Sequence, residues 1–147
     1  MNKRLNLKRP EKGQSMVELA LTITILMILL AGVIDMGRAF FTYMAMRDAA
    51  QEGAAYGSVN PFDENGTRSR VWDNLDQVVP DPEHPEDYID IGIEYNGPRC
   101  LGNEIILYVD YPEFPLTMPF LGWILNSQTL AIHATIKDNI LRPSCGQ

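Results

Sequence analysis

Charged residues and prolines are both missing from long stretches near the N-terminus, and the two gaps overlap. No charged residue lies between Glu18 and Asp35, and no proline lies between Pro10 and Pro61. Because a proline inside a helix removes a hydrogen bond and kinks the chain, its absence permits one long unbroken helix. The lack of charge makes the first part of that helix suited to contact with lipid.

Sequence signatures of common catalytic sites are missing as well. The chain has no glycine-rich phosphate loop, no nucleophile elbow and no pair of metal ligands at helical spacing. Its two histidines, His84 and His133, are not at metal-ligand spacing from either cysteine. We therefore predict that the protein is not an enzyme and uses no cofactor and no metal. The acidic residues between 81 and 87 are predicted to form a solvated loop, with calcium binding as the alternative.

Basic residues are scarce outside the N-terminal segment. Five of the twelve lysines and arginines fall within residues 1–13, where the one acidic residue is Glu11. The whole chain has a net charge of −7, so the remainder is strongly acidic. A basic head, an apolar run and an acidic body are typical of an exported or membrane-anchored protein. The acidic body also argues against nucleic acid as a partner, because phosphate contacts require a basic surface.

The uncharged run from Leu19 to Ile34 contains 16 residues, somewhat fewer than the roughly 20 that cross a bilayer. We predict a single transmembrane segment at about residues 16–36, forming the first half of a helix over residues 14–58. The positive-inside rule keeps the basic N-terminus in the cytoplasm. Residues 59–147 are then an extracytoplasmic domain, anchored in the cytoplasmic (inner) membrane.

The outer half of this helix carries small residues at a spacing of four: Ala45, Ala49, Gly53 and Gly57. Such a stripe permits close packing, either against the protein's own sheet or against other helices in a bundle. Gly57 is also expected to end the helix. At the other end, Ser15 is a candidate N-cap, since a glutamate follows three residues later as in a capping box.

Three alternating patterns in the C-terminal half predict strands. They are YIDIGIEY, EIILYVDY and QTLAIHATIKDN, and prolines 112 and 115 are expected to end the second strand. The pattern of TRSRVWDNLDQVV predicts a short helix before them. Successive strands favour an antiparallel three-strand meander with one face buried on the long helix. The predicted fold class is α+β.

Two further features of the outer domain are left with alternatives. Cys100 and Cys145 are candidates for a disulfide, since exported domains commonly form them, and two free thiols are the alternative. The apolar residues Phe120, Leu121 and Trp123 are expected to be buried in the small core. The alternative is that they form a partner patch or touch the membrane.

The segment around Gly13 resembles the class III-type signal of type IV pilins. If the chain is cut after Gly13, Gln14 becomes the first residue and Glu18 the fifth, ahead of an apolar helix. The resemblance implies that residues 1–13 are a leader removed by a prepilin peptidase. The α-amine released at Gln14 can then pair with Glu18 of a neighbouring subunit and fix the axial register, because an unpaired charge in lipid is penalised. Alternatively, Glu18 reaches water at the interface or caps the helix N-terminus.

A longer resemblance covers GQSMVELALTITILMILLAGVIDMGRAFFTYMAMRDAAQEGAAYGSV. This stretch resembles the TadE-like family, the minor pilins or pseudopilins of tight-adherence (Flp) pilus systems. The features that carry it are Gly13-Gln14, Val17-Glu18, the apolar span, Ile34-Asp35-x-Gly37-Arg38 and the small-residue segment 48–54. The ending, strand then proline loop then strand, is also similar. The major Flp pilins are much shorter and usually carry Glu-Tyr where this chain has Glu18-Leu19.

This resemblance implies a pilin-like fold and an anchored minor pilin that acts in pilus assembly for adhesion or secretion, in the membrane or within a surface pilus. Its implied partners are prepilin peptidase, other pilin subunits, the assembly platform and lipid. Asp35 and Arg38 lie three residues apart on the helix. They either pair with each other or meet neighbouring pilin helices. The alternative function is a single-pass membrane protein with an uncleaved N-terminus, whose outer domain binds another envelope partner.

Overall fold

The fold consists of one very long helix, a short second helix and a small antiparallel sheet, which is the predicted α+β class. The computed structural model describes residues 12–76, 78–81, 83–118 and 126–145. Most of the leader, and the apolar Phe120, Leu121 and Trp123, lie outside the described residues. The elements are α1 (Lys12–Val59), α2 (Glu64–Trp72), a 3₁₀ helix (Pro85–Asp87), β1 (Asp90–Asn96), β2 (Glu104–Pro115) and β3 (Thr129–Asn139).

Helix α1 contains 48 residues, which gives a rod of about 72 Å at 1.5 Å per residue. It begins at Lys12, so Ser15 lies within the helix and the predicted N-cap was wrong: the residues before it are already helical. The expected end at Gly57 was also wrong. Gly57 is buried within the helix, and the chain turns away only as it approaches Pro61.

The first half of α1 extends away from the rest of the protein. Its most apolar 18-residue window has a mean hydropathy of 2.5, and none of it is buried within the protein. Apolar side chains are exposed all round this segment, which is the character of a helix surrounded by lipid. The helix is therefore long enough and apolar enough to cross a membrane.

The sheet is the predicted meander, with β2 between β1 and β3. In its register, Val109 of β2 lies opposite Ile91 of β1 and Ala134 of β3. Of the two prolines expected to end β2, Pro115 is its last residue, as predicted, whereas Pro112 lies within the strand, so that part of the expectation was wrong. The pairing with β3 shifts between Tyr111 and Phe114. Such an irregularity accommodates a proline, because Pro112 has no N–H to donate.

The core forms where the sheet packs on the outer half of α1. Met46, Ala49, Leu107 and Val109 are all fully buried there. A Cβ atom added at Gly53 would lie 2.9 Å from Leu107 Cδ1 and closer still to Val71 Cγ2 of α2. The buried part of the small-residue stripe therefore serves packing within the chain, the first of its two alternatives.

Helix α2 begins earlier than the sequence pattern predicts. Asp63 caps it by accepting a hydrogen bond from Gly66 N at 2.9 Å, and Tyr56 Oη donates to the same carboxylate at 2.8 Å. These two bonds, the Gly66 one first, hold the pKa of Asp63 below its usual value. The helix ends at Trp72, while the following Leu75 is still fully buried.

A disulfide joins Cys100, in the β1–β2 connection, to Cys145 near the C-terminus. The C-terminal segment also contacts the end of α1, since Leu141 N donates to Ser58 O at 2.8 Å. The loop, the C-terminal segment and the outer end of the long helix are thus tied together at the end of the domain farthest from the apolar half of α1.

Candidate membrane anchor and assembly site

The three residues of the predicted processing and register site lie on the exposed start of α1. Gly13, Gln14 and Glu18 are all exposed, and no atom of the described residues lies within 4 Å of the position a Cβ atom would take at Gly13. Gln14 and Glu18 are four residues apart, so they lie on one face with a rise of about 6 Å between them. A peptidase or a neighbouring helix can reach this face without disturbing the folded domain.

The carboxylate of Glu18 takes no part in the ion pairs found among the described residues. The backbone carbonyl of Glu18 accepts a hydrogen bond from Thr22 Oγ1 at 2.8 Å, and Ala20 O accepts one from Thr24 Oγ1 at the same distance. The two polar side chains of the apolar run are thus satisfied within the helix, as a lipid environment requires. The Glu18 side chain, by contrast, is exposed, so in a lipid environment its carboxylate requires a partner or water.

Asp35 is in a very different setting from Glu18, although both border the uncharged run. Its side chain is buried, and Asp35 Oδ2 accepts a hydrogen bond from Met118 N at 2.6 Å. Its other oxygen lies 3.4 Å from Arg38 Nη1, and the same nitrogen donates to Thr117 Oγ1 at 2.6 Å. We call these four residues, Asp35, Arg38, Thr117 and Met118, the Asp35 latch.

The Asp35 latch fastens the segment after β2 onto the long helix. The guanidinium of Arg38 lies 5.3 Å from the centre of the Phe114 ring, which adds a cation–π contact. Gly32 lies about one helical turn before Asp35, toward the N-terminus, and a Cβ atom added there would lie 3.6 Å from Met118 Sδ. The sequence suggested an Asp35–Arg38 pair by its spacing, but nothing in the sequence indicated Thr117 and Met118, which lie about 80 residues away.

The acidic residues near the 3₁₀ helix make local contacts with one another and with His84. Asp81 Oδ1 accepts a hydrogen bond from Glu83 N at 2.9 Å, and His84 lies 3.9 Å from Glu86. In the part of the chain that the structure describes, no group of three or more His, Cys, Asp or Glu side chains is placed to hold a metal ion.

Comparison with known proteins finds a family match over the long helix. Residues 13–55 match the family model described as TadE-like protein, which confirms the resemblance seen in the sequence. No curated protein and no solved structure is significantly similar to the chain. The matched range begins at Gly13 and includes Glu18, the apolar run, Asp35, Arg38 and most of the helix face that packs on the sheet. Residues 13–55 are therefore similar to the TadE-like family, and they include the apolar helix that is long enough to span a membrane.

Proposed function

We propose that the protein is a membrane-anchored minor pilin or pseudopilin that acts in assembly of a Tad/Flp-type pilus, and that it is cut by a prepilin peptidase after Gly13. The observation that carries the proposal is Glu18 at the start of a TadE-like helix, exposed and in none of the ion pairs formed by the described residues. In a lone anchor this carboxylate would only reach interfacial water or offset the helix dipole. In a subunit that must align with its neighbours, the carboxylate can fix the axial position of one helix relative to the next.

Cleavage would place a new charge close to this carboxylate. The α-amine of Gln14 is protonated at neutral pH. Within one subunit it lies about one turn from Glu18, and in an assembly of parallel helices it can pair with Glu18 of the next subunit. The attraction need not add much net stability, because desolvation offsets it. Its effect is on specificity, since every other axial offset leaves both charges unpaired in lipid.

The outer domain suits the role of a small assembly component rather than a catalyst. The sheet, α2 and α1 share one small core, and the family to which the helix is matched is that of pilus-associated proteins. We propose a structural role in the cytoplasmic membrane, with the N-terminus in the cytoplasm and the domain outside. Its partners are the peptidase, other pilin subunits and the assembly platform, and the product is a filament for adhesion or secretion.

Two experiments test this proposal. The intact mass and N-terminal sequence of the membrane-extracted protein are compared between cells with and without a prepilin peptidase. A peptidase-dependent start at Gln14 supports the proposal. An intact Met1 in both strains would favour the alternative, a single-pass protein with an uncleaved N-terminus whose domain binds another envelope partner.

The second experiment asks whether Glu18 sets the register. In Glu18→Ala, membrane insertion should persist while co-purification with partner pilins is lost. Asp48→Ala is the matched control, because Asp48 is an exposed carboxylate on the same helix beyond the apolar run. If both variants co-purify with partner pilins as the unmodified protein does, Glu18 has no register role.

A further inference from the structure

The exposed apolar surface of α1 does not end where the uncharged run of the sequence ends. Beyond Asp35, the side chains of Met36, Phe40 and Phe41 are 76%, 65% and 56% exposed. Met36 and Phe40 are four residues apart, so they continue one face of the helix. This surface is contiguous with that of the preceding apolar half, whose most apolar window is entirely unburied.

Asp35 does not interrupt this exposed apolar surface, because its carboxylate is directed toward the folded domain. The carboxylate is 4% exposed and is held by Met118 N and Arg38 on the side of the helix that meets the folded domain. Arg38 donates to Thr117 Oγ1 and lies over the Phe114 ring. Its side chain is 46% exposed, and the long apolar stem of an arginine lets the guanidinium reach the headgroup region. A charged group that is hydrogen-bonded inside the protein is tolerated at a depth where one facing lipid is costly.

The lengths agree with this extension. From Leu19 to Ile34 the helix spans about 23 Å, which is short of the roughly 30 Å hydrocarbon thickness of a bilayer. From Leu19 to Phe41 it spans about 33 Å, enough to cross that layer and enter the outer headgroup region. Large aromatic side chains are well suited to the boundary between chains and headgroups.

We infer that the lipid-contacting face of α1 runs from Leu19 to Phe41, with Phe40 and Phe41 at the outer boundary of the bilayer. The Asp35 latch then lies below that boundary, on the opposite side of the helix, and the base of the folded domain rests in the outer leaflet rather than above it. Met118, which reaches down to Gly32, is part of this immersed base.

This inference rests on the membrane anchoring contained in the proposed function, and it is independent of cleavage and of filament assembly. It is tested on the purified full-length chain in liposomes of phosphatidylethanolamine and phosphatidylglycerol at low protein density. Both native cysteines are held in the disulfide, so single cysteines introduced as Met36→Cys, Phe40→Cys, Phe41→Cys and Arg47→Cys can carry a nitroxide label. Each label's collision rates with oxygen, which concentrates in lipid, and with a water-soluble nickel chelate are then measured.

We expect oxygen collisions to exceed nickel collisions at positions 36, 40 and 41, and the ratio to reverse at position 47. If nickel collisions dominate at 36, 40 or 41, the lipid contact ends earlier and the inference is wrong. Low collision rates with both reagents at these positions would indicate protein contact, with a second copy as the occupant, and would overturn it as well. Intact disulfide formation and an unchanged circular dichroism spectrum establish that each labelled variant is folded.

These outcomes are separable from those of the proposed function. Lipid contact that extends to Phe41 is compatible with an uncut N-terminus. A peptidase-dependent start at Gln14 is compatible with lipid contact that ends at Ile34.

Discussion

Replacing Asp35 by alanine should loosen the attachment of the segment after β2 without unfolding the sheet. The lost hydrogen bond from Met118 N to a charged acceptor contributes about 1.5–3 kcal/mol. The ion pair with Arg38 adds less than about 1 kcal/mol, because the arginine side chain is 46% exposed. We therefore expect opening of this segment to become easier by about 2 kcal/mol, which corresponds to about a 30-fold faster exchange of the Met118 amide hydrogen.

The measurement is hydrogen exchange of the chain in detergent micelles, followed at Met118 and at Leu107 in the core. Asp35→Asn keeps an oxygen that can accept the Met118 bond but removes the charge, so it should show a smaller acceleration than Asp35→Ala. Asp48→Ala, at an exposed position of the same helix, should change neither amide. An unchanged exchange rate at Met118 in Asp35→Ala would refute the claim that this carboxylate holds the segment.

Three further predictions concern the packing, the disulfide and the cap of α2. Gly53→Ala should lower the free energy of unfolding by about 1–3 kcal/mol, because the added Cβ overlaps core side chains. Gly37→Ala should leave the free energy of unfolding unchanged, since no described atom lies within 4 Å of its Cβ position. Equal denaturation midpoints for the two variants would contradict this prediction. Reducing the Cys100–Cys145 disulfide should cost about 4 kcal/mol in the chain-entropy model, and a denaturation curve unaffected by reductant would show that the bond does not constrain the unfolded chain. The pKa of Asp63 is lowered in the folded state. Ionised Asp63 therefore stabilises the fold at pH values above its unfolded pKa near 3.9, and this stabilisation is lost as the pH falls through its lower folded pKa. Unfolding followed from pH 6 to pH 2 should show this loss in the unmodified chain and a weaker one in Asp63→Asn, and identical profiles would contradict it.

The sequence was sufficient to predict the elements whose periodicity is strong. The long helix followed from the absence of proline and charge, and the three strands followed from alternation around Ile91, Val109 and Ile132. The alternation arises because one face of each strand is buried, as Ile91, Val109 and Ile132 are here. The family resemblance over residues 13–55 depended on the same features.

Boundaries and long-range contacts were beyond sequence reasoning, for separate physical reasons. Pro112 was expected to end β2, but an irregular pairing accommodates its missing N–H. The start of α2 depends on Asp63, whose capping bonds lie outside the apolar pattern. The burial of Asp35 depends on a backbone N–H about 80 residues away, and a backbone group leaves no signature in the sequence. The sequence shows that a charge is present at position 35, but it does not show that this charge faces the folded domain.

Because α1 is one continuous helix, a change in the tilt of its apolar half also moves the outer domain. No proline interrupts the helix between its apolar half and the sheet, and the Asp35 latch joins the helix to the segment after β2 between these two parts. Val59 lies about 35 Å along the rod from Met36. A tilt of the membrane segment by the common value of about 20° therefore swings the far end of the domain sideways by about 12 Å. A sideways displacement of the apolar half of the helix therefore moves and rotates the outer domain with it.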